Sequence, residues 1–329
     1  MKRKRGKTSL KHALSEVPSL SSGEVEGLKA RSSKLKGGRH PFSFHLSAFS
    51  LQIIVSLLLC FFAQSTSLAA SKRINEKLLQ LQAHKGPFTF VVLGDNRSGD
   101  RIYQQLVRLS LSRKPDFFVN TGDVIVHPGS REQWKNFWRI SSAIDLPNFL
   151  AIGNHDVDDK KSEAVWKDEV DLPGNELYYS WVVGRSLFVV LDGYETDREN
   201  KIEGAQFDWL KKTLDPNKYE HQFVFLHPPL FLRKGAEHYG DSLDRHPELR
   251  DKLQALFVQK KVDAVFMGHE HEYEKRKVDG VWHIITGGGG APIYGESFCH
   301  FVFVSVDGPR AEAKIIDKEG VIHDEFNIH

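Results

Sequence analysis

From residue 86 onward the chain repeats one arrangement: an apolar run of strand length, a stop on Gly, Asp, Asn or His, then a helical period. Leu93-Gly94-Asp95-Asn96-Arg97 closes the first run, Thr121-Gly122-Asp123 the second and Gly153-Asn154-His155-Asp156 the third. Leu226-His227-Pro228-Pro229 and Met267-Gly268-His269-Glu270-His271 close two later ones. Strands alternating with helices predict an α/β fold, and the C-terminal ends of strands are where open α/β folds place their sites. Any one of these stops alone reads as an ordinary turn or a loop histidine. Five in this order read as one constellation.

The periodicity assigns strands to residues 88–93, 116–120, 148–152, 222–226 and 264–267, and helices to 102–111, 131–144, 205–214 and 247–259. Residues 178–183 and 187–192 flank Gly184-Arg185 as a hairpin. Beyond residue 273 the pattern is all strand and turn: 274–278, 282–286, 301–306, 311–316 and 321–326, punctuated by Asp279-Gly280, Asp307-Gly308 and Glu319-Gly320. A short amphipathic helix over 72–84 precedes Gly86-Pro87. The expectation is one domain over 86–329, α/β (α+β) in class: a two-sheet mixed β-sandwich flanked by helices. The Trp134/Trp138 pair, at helical spacing, is expected in the core.

Composition excludes several classes. Two cysteines in 329 residues rule out a disulfide scaffold and a thiolate-built zinc site. A mean hydropathy of −0.38 rules out a multi-spanning membrane protein. Residues 1–70 hold 11 Lys/Arg and 3 Glu, leaving 34 basic and 40 acidic residues beyond them. The folding part is therefore acidic, and the overall pI of 8.3 implies no nucleic-acid face.

Residues 1–45 are basic and rich in Ser and Gly, and residues 46–71 carry no acidic or basic side chain. A nearly unbroken apolar run at 53–63 followed by Ser67-Leu68-Ala69-Ala70 reads as a secretory signal peptide. The alternative is a single uncleaved anchor over 46–71. The bulky Leu59 before Cys60 argues against a lipoprotein signal, and cleavage would leave Cys299 as a lone thiol. The long leader ahead of the apolar core would be explained by a start codon set too far upstream. Export to the periplasm or outside the cell is the expectation.

Carboxylate, amide and imidazole groups without thiolate suit Mn²⁺, Fe or Zn²⁺. In Gly268-His269-Glu270-His271, positions i and i+2 of one extended segment can both turn inward at a bulge and grip two ions. The order Asp95, Gly122-Asp123, Gly153-Asn154-His155-Asp156, His227 and Gly268-His269-Glu270-His271 resembles the calcineurin-like metallophosphoesterase superfamily over about residues 88–304. The run Gly268-His269-Glu270-His271-Glu272-Tyr273-Glu274, with Thr286-Gly287-Gly288-Gly289-Gly290-Ala291-Pro292 after it, is most similar to the purple acid phosphatase branch.

That resemblance implies two metal ions where the strands converge, with Asp123 bridging them. Asp95 and His271 would complete the first site, and Asn154, His227 and His269 the second. A hydroxide between the ions would attack phosphorus, His155 would face the leaving oxygen as acid or hydrogen-bond donor, and Asp156 would orient that imidazole. Two positions depart from the family pattern. Arg97 stands where the superfamily has the His of Asp-x-His, and Val126 stands where purple acid phosphatases have a metal-binding Tyr. The first metal therefore lacks a fourth protein ligand, unless His127 reaches it, and no tyrosinate colour is expected. Arg97 is expected to clamp phosphate, repelled as a metal neighbour; a surface Arg capping the next helix is the alternative.

Residues 287–290 are expected to pass close beneath the metals, with donation of backbone N–H groups to substrate as the alternative. The loop 233–246, with His238, Tyr239 and His246, either lines the cleft or is a solvated connection. The expected function is metal-dependent hydrolysis of small phosphate esters, with the membrane a partner only through an uncleaved N-terminal segment. The alternatives are a phosphodiesterase acting on nucleotides or lipid head groups, and a non-catalytic metal-binding protein on the same fold.

Overall fold

The computed structural model describes residues 74–196 and 198–329; the N-terminal extension and export segment expected over residues 1–70 lie outside the described residues. Among the described residues no helix is long and apolar enough to cross a membrane.

β1 (Phe88–Leu93) pairs in parallel with β2 (Phe117–Asn120), and β2 with β3 (Asn148–Leu150). On the other side of β1 the antiparallel strands β10 (His300–Asp307), β11 (Arg310–Asp317) and β12 (Ile322–Asn327) complete a six-stranded sheet in the order β12-β11-β10-β1-β2-β3. The second sheet runs β4-β5-β6-β7-β9-β8. Its parallel centre is β5 (Ser186–Val190), β6 (His221–Phe225), β7 (Ala264–Met267) and β9 (Val281–Thr286), with β4 (Tyr179–Val183) and β8 (Tyr273–Val278) antiparallel at the edges. Gly184, at φ +56°, closes the expected β4–β5 hairpin.

The two sheets pack through aromatic side chains. Phe90 of β1 stacks on Phe117 of β2 at 5.1 Å and meets Phe188 of β5 edge-on at 5.4 Å. Phe149 of β3 stacks on Trp181 of β4 at 3.6 Å. All of these rings are buried, each contributing about 1.5–3 kcal/mol of transfer free energy. A sandwich closed this way fixes where the parallel strands end.

Helices cover the outer faces. α2 (Asp100–Leu111) buries Tyr103, Leu106 and Val107, and α3 (Arg131–Ile140) buries Trp134, Phe137 and Ile140. Trp134 and Trp138 stack at 6.1 Å within that core. α5 (Gly204–Thr213) and α6 (Pro247–Gln259) set Leu210, Leu253 and Phe257 against Val189, Val224 and Val265 of the second sheet. α1 (Ile74–Gln82) packs Ile74 and Leu81 into the core, and Asp171 Oδ2 accepts from the Ile74 N–H at 3.2 Å.

The strands expected over 148–152 and 187–192 end at Leu150 and Val190, and two helices differ from the sequence expectation. The helix expected over 131–144 ends at Ile140 and continues as a 3-10 turn, Ser141–Ala143. The periodicity also overlooks α4 (Lys160–Glu169), because only Trp166 and Ser162 of that helix are buried. Its start is nonetheless written locally: Asp159 accepts from the Lys161 and Ser162 N–H groups, while the Ser162 hydroxyl accepts from the Asp159 N–H.

Candidate metal centre

The loops after β1, β2, β3, β6 and β7 meet at the C-terminal edges of the two sheets. After β1 the chain turns at Asp95, which takes φ +58° and donates its N–H to Gly122 O at 2.9 Å. After β2 it turns at Asp123, φ +59°, whose carbonyl accepts from the Arg97 N–H at 3.1 Å. Buried amides stitch these loops together: Asn120 Nδ2 donates to Asn96 Oδ1 at 2.8 Å, and Asn120 Oδ1 accepts from the Gly122 N–H. After β7, His269 turns at φ +70° and its N–H lies 3.1 Å from both Asp95 carboxylate oxygens.

These turns bring Asp95, Asp123 and His271 together, one donor atom from each within 4.8 Å of the others and all three buried. His227 Nε2 lies 3.4 Å from Asp123 Oδ1 and 3.9 Å from Asp95 Oδ1. His271 Nε2 lies 3.6 Å from Asp95 Oδ1. The His227 and His269 rings stand 5.1 Å apart. Asn154 immediately precedes His155, whose N–H binds Asp123 Oδ1 at 3.0 Å.

Each histidine is oriented by a carbonyl that can only accept. His227 Nδ1 donates to Thr121 O at 2.8 Å, His271 Nδ1 to Pro292 O at 2.7 Å and His269 Nε2 to Asp241 O at 3.2 Å. The other nitrogen of each ring is therefore a lone pair, the form in which imidazole ligates. Burial pushes all three below the ordinary histidine range, His271 to about 4. Burial raises Asp95, with the Asp123 charge adding to it. Burial acts the same way on Asp123, but His227, His155 and Arg97 outweigh it and hold that carboxyl below the usual range.

The fit to a metal follows from atoms left without partners. His227 Nε2 and Asn154 Oδ1 are buried and have no hydrogen-bond donor. A nitrogen lone pair 3.4 Å from a carboxylate oxygen is unfavourable unless a cation stands between them. The donor set of oxygen and imidazole without sulfur suits Mn²⁺, Fe or Zn²⁺.

Two expectations are corrected. Asp156 does not touch the His155 imidazole. The turn after β3, closed by Asp156 N–H to Gly153 O at 3.0 Å, points the carboxylate back into the protein. There it accepts the N–H groups of Asp123 and Gly153 on Oδ2, and of Val124 and Ile125 on Oδ1. His155 is oriented instead by Val126 O, which accepts from Nδ1 at 2.7 Å. Nor does Arg97 stand clear of the expected ligands. Its Nε donates to Asp123 Oδ2 at 2.9 Å, and one Nη lies 3.4 Å from His271 Nε2. A carboxylate and a lone pair are both acceptors for the guanidinium N–H groups, and the fork reaches both.

His127 is exposed and stays outside this group. The loop 233–246 does reach the centre: the His238 ring lies 3.9 Å from that of His269, and Glu270 Oε1 accepts from the His238 N–H at 2.7 Å. Sequence reasoning overlooked Tyr294, which stacks on His271 at 4.5 Å, and Tyr194, 5.8 Å from His227. Both arrive on loops carrying no ligand, so spacing to the motifs gave no signal. Residues 287–290 pass against the centre: a Cβ at Gly289 would lie 2.2 Å from Gly94 O, and one at Gly287 2.1 Å from Glu270 O. Away from this centre, His221, Asp263 and His329 form a second group of possible ligands.

The family model for calcineurin-like phosphoesterases matches residues 88–273. The serine/threonine-protein phosphatase CPPED1 of Bos taurus is 30% identical over 222 residues, covering 57% of this chain and 70% of that protein. Purple acid phosphatase 21 of Arabidopsis thaliana is 30% identical over 232 residues, covering 63% of this chain and 51% of its own length. Among solved structures, a purple acid phosphatase from yellow lupin (Lupinus luteus) seeds shares the fold with a TM-score of 0.61 at 20% identity, over 74% of this chain and 54% of that one. The chain thus spans about half the length of these two purple acid phosphatases.

Proposed function

The chain belongs to the calcineurin-like phosphoesterase family, and on that premise we propose that it hydrolyses small phosphate esters at a metal centre built on Asp123. The observation that carries this reading is the unpartnered His227 Nε2 facing Asp123 Oδ1, the same oxygen that accepts the His155 N–H. Asp123 would be shared between two cation positions. Asp95 and His271 bound the first; Asn154, His227 and His269 bound the second. A metal ion held there would supply Lewis-acid charge to the phosphoryl group and would activate water for attack.

The protein's own part is positioning and proton transfer. Val126 O holds Nδ1–H of His155, leaving Nε2 to carry a proton in the imidazolium form and give it to the leaving oxygen. Asp156 serves that step indirectly, by locking the backbone of residues 123–125 to Gly153. The three Arg97 N–H groups not directed at Asp123 and His271 are available to phosphoryl oxygens. The reading of residues 46–71 as an export segment belongs to the same proposal, and cell fractionation tests it.

The experiment strips metal from the protein, restores Mn²⁺, Zn²⁺ or Fe²⁺ singly, and follows p-nitrophenyl phosphate and bis-p-nitrophenyl phosphate. Metal-restored hydrolysis, lost in His227→Ala, is expected, and the preferred ester separates monoesterase from diesterase. A protein that takes up no metal refutes the reading. Bound metal without turnover on either ester would favour the binding-protein alternative.

A further inference from the structure

We propose that the Arg97 guanidinium is the resident cation of the first position, so that the active centre takes one metal ion, at the second position. This rests on the metal-phosphoesterase reading and goes beyond it in assigning each cation position an occupant.

The two positions differ in what their donor atoms already do. At the first, Asp123 Oδ2 accepts from Arg97 Nε at 2.9 Å, and the His271 Nε2 lone pair faces an Arg97 Nη at 3.4 Å. The His271 lone pair is defined by Pro292 O, which takes the hydrogen on Nδ1. Guanidinium thus spans the carboxylate and the imidazole that would otherwise grip an ion. Its charge is permanent and its planar fork matches two acceptors at once. At the second position, His227 Nε2 and Asn154 Oδ1 have no donor at all. The orphaned His227 Nε2 faces Asp123 Oδ1, which accepts the His155 N–H, whereas Oδ2 accepts from Arg97.

Arg97 is not a flexible surface side chain that drifted in. Its backbone N–H is tied to Asp123 O at 3.1 Å, and its side chain is only 16% exposed. No side chain from position 126 competes for the place, since Val126 offers only its carbonyl, already taken by His155. A divalent ion at Asp123 Oδ2 and His271 Nε2 would have to displace both hydrogen bonds and then sit against the guanidinium it displaced. Charge balance agrees: one guanidinium and one divalent ion against Asp95 and Asp123 leave the centre modestly positive, as phosphate binding requires.

The test counts ions. The full chain carrying His329→Ala, which disables the other His/Asp group among the described residues, is reconstituted with excess Mn²⁺, desalted and analysed by mass spectrometry for metal per chain. One ion is expected, falling to none on adding His227→Ala. Adding Arg97→His instead should raise the content to two, with the isolated-ion Mn²⁺ spectrum in electron paramagnetic resonance replaced by that of an exchange-coupled pair. Arg97→Gln, which removes the charge without supplying a strong ligand, should take the second ion more weakly and guards against a misfolded His variant. Two ions in the protein with Arg97 intact, or one that survives His227→Ala, overturn the proposal while leaving the metal-phosphoesterase reading standing. Two ions in neither Arg97 variant also overturn it. No ion in any form overturns both.

Discussion

Replacing Asp156 by Asn separates a structural role from a catalytic one. The carboxylate is fully buried and accepts four backbone N–H groups at 2.8–3.2 Å, two on each oxygen. An asparagine keeps one oxygen, so one pair of donors stays satisfied while the other pair faces an NH₂ group. Two buried N–H groups without acceptors cost about 1–3 kcal/mol each, giving ~2–6 kcal/mol for the substitution. With a urea m-value of about 3 kcal/mol/M, at the upper end for small proteins, the midpoint should fall by roughly 0.7–2 M. The comparison is His155→Gln, whose half-buried ring makes one hydrogen bond to Val126 O and should cost about 1 kcal/mol or less. Both are measured with chelator present, so that metal binding does not enter. Were Asp156→Asn to keep the parent midpoint to within about 0.3 M while losing turnover, Asp156 would act on His155 after all, and the assignment of its four hydrogen bonds would be wrong.

Other expectations follow from the same geometry. His155→Ala should lower kcat on p-nitrophenyl phosphate by about 10²–10⁴-fold at unchanged metal content; loss of metal with activity would show instead that His155 supports the ligands. Burial holds His283 at about 3 and His300 at about 4, both below the ordinary histidine value. Between pH ~6.5 and ~4 the unfolded chain therefore binds protons that the folded chain does not, and stability falls as pH falls, by about 1.4 kcal/mol per pH unit for each group. Urea midpoints from pH 7 to 5 should trace this slope, and His283→Gln should remove one such contribution; an unchanged slope in the variant would refute the cause. Gly289→Ala places a methyl 2.2 Å from the Gly94 backbone carbonyl oxygen and should cost about 1–3 kcal/mol in thermal or urea melting.

Much of this arrangement is legible in the sequence because it depends on local patterns. The apolar runs before Asp95, Asp123 and Asn154 are long enough only for strands, and each ends where polarity returns. The observed β1 runs Phe88–Leu93 and α6 runs Pro247–Gln259, matching the expected spans. The two sheets with helices outside, and the convergence of Asp95, Asp123 and His271, follow from strand order. What was not legible depends on the direction a side chain takes out of a turn. Asp156 sits one residue from His155, which suggested contact, but the tight turn back to Gly153 points the two side chains apart. Charge repulsion from an expected metal argues against Arg97 as its neighbour, whereas a backbone tie to Asp123 holds it there. Tyr294 and His238 reach the centre from long connections whose path no periodicity records.

Three residues of the centre, Asp95, Asp123 and His269, hold left-handed backbone conformations at φ +58°, +59° and +70°. Side chains tolerate that region poorly and glycine tolerates it freely, a difference of about 1 kcal/mol at each position. The centre also crowds two carboxylates into the interior. At Asp95 and Asp123 the loss of the acceptors for the His269, His155 and Arg97 N–H groups outweighs that gain, so activity and thermal robustness are opposed chiefly at codon 269. A library of this protein screened for heat resistance alone, with chelator present, should enrich glycine or asparagine at 269 while keeping the aspartates at 95 and 123, and its most durable members would be its least active.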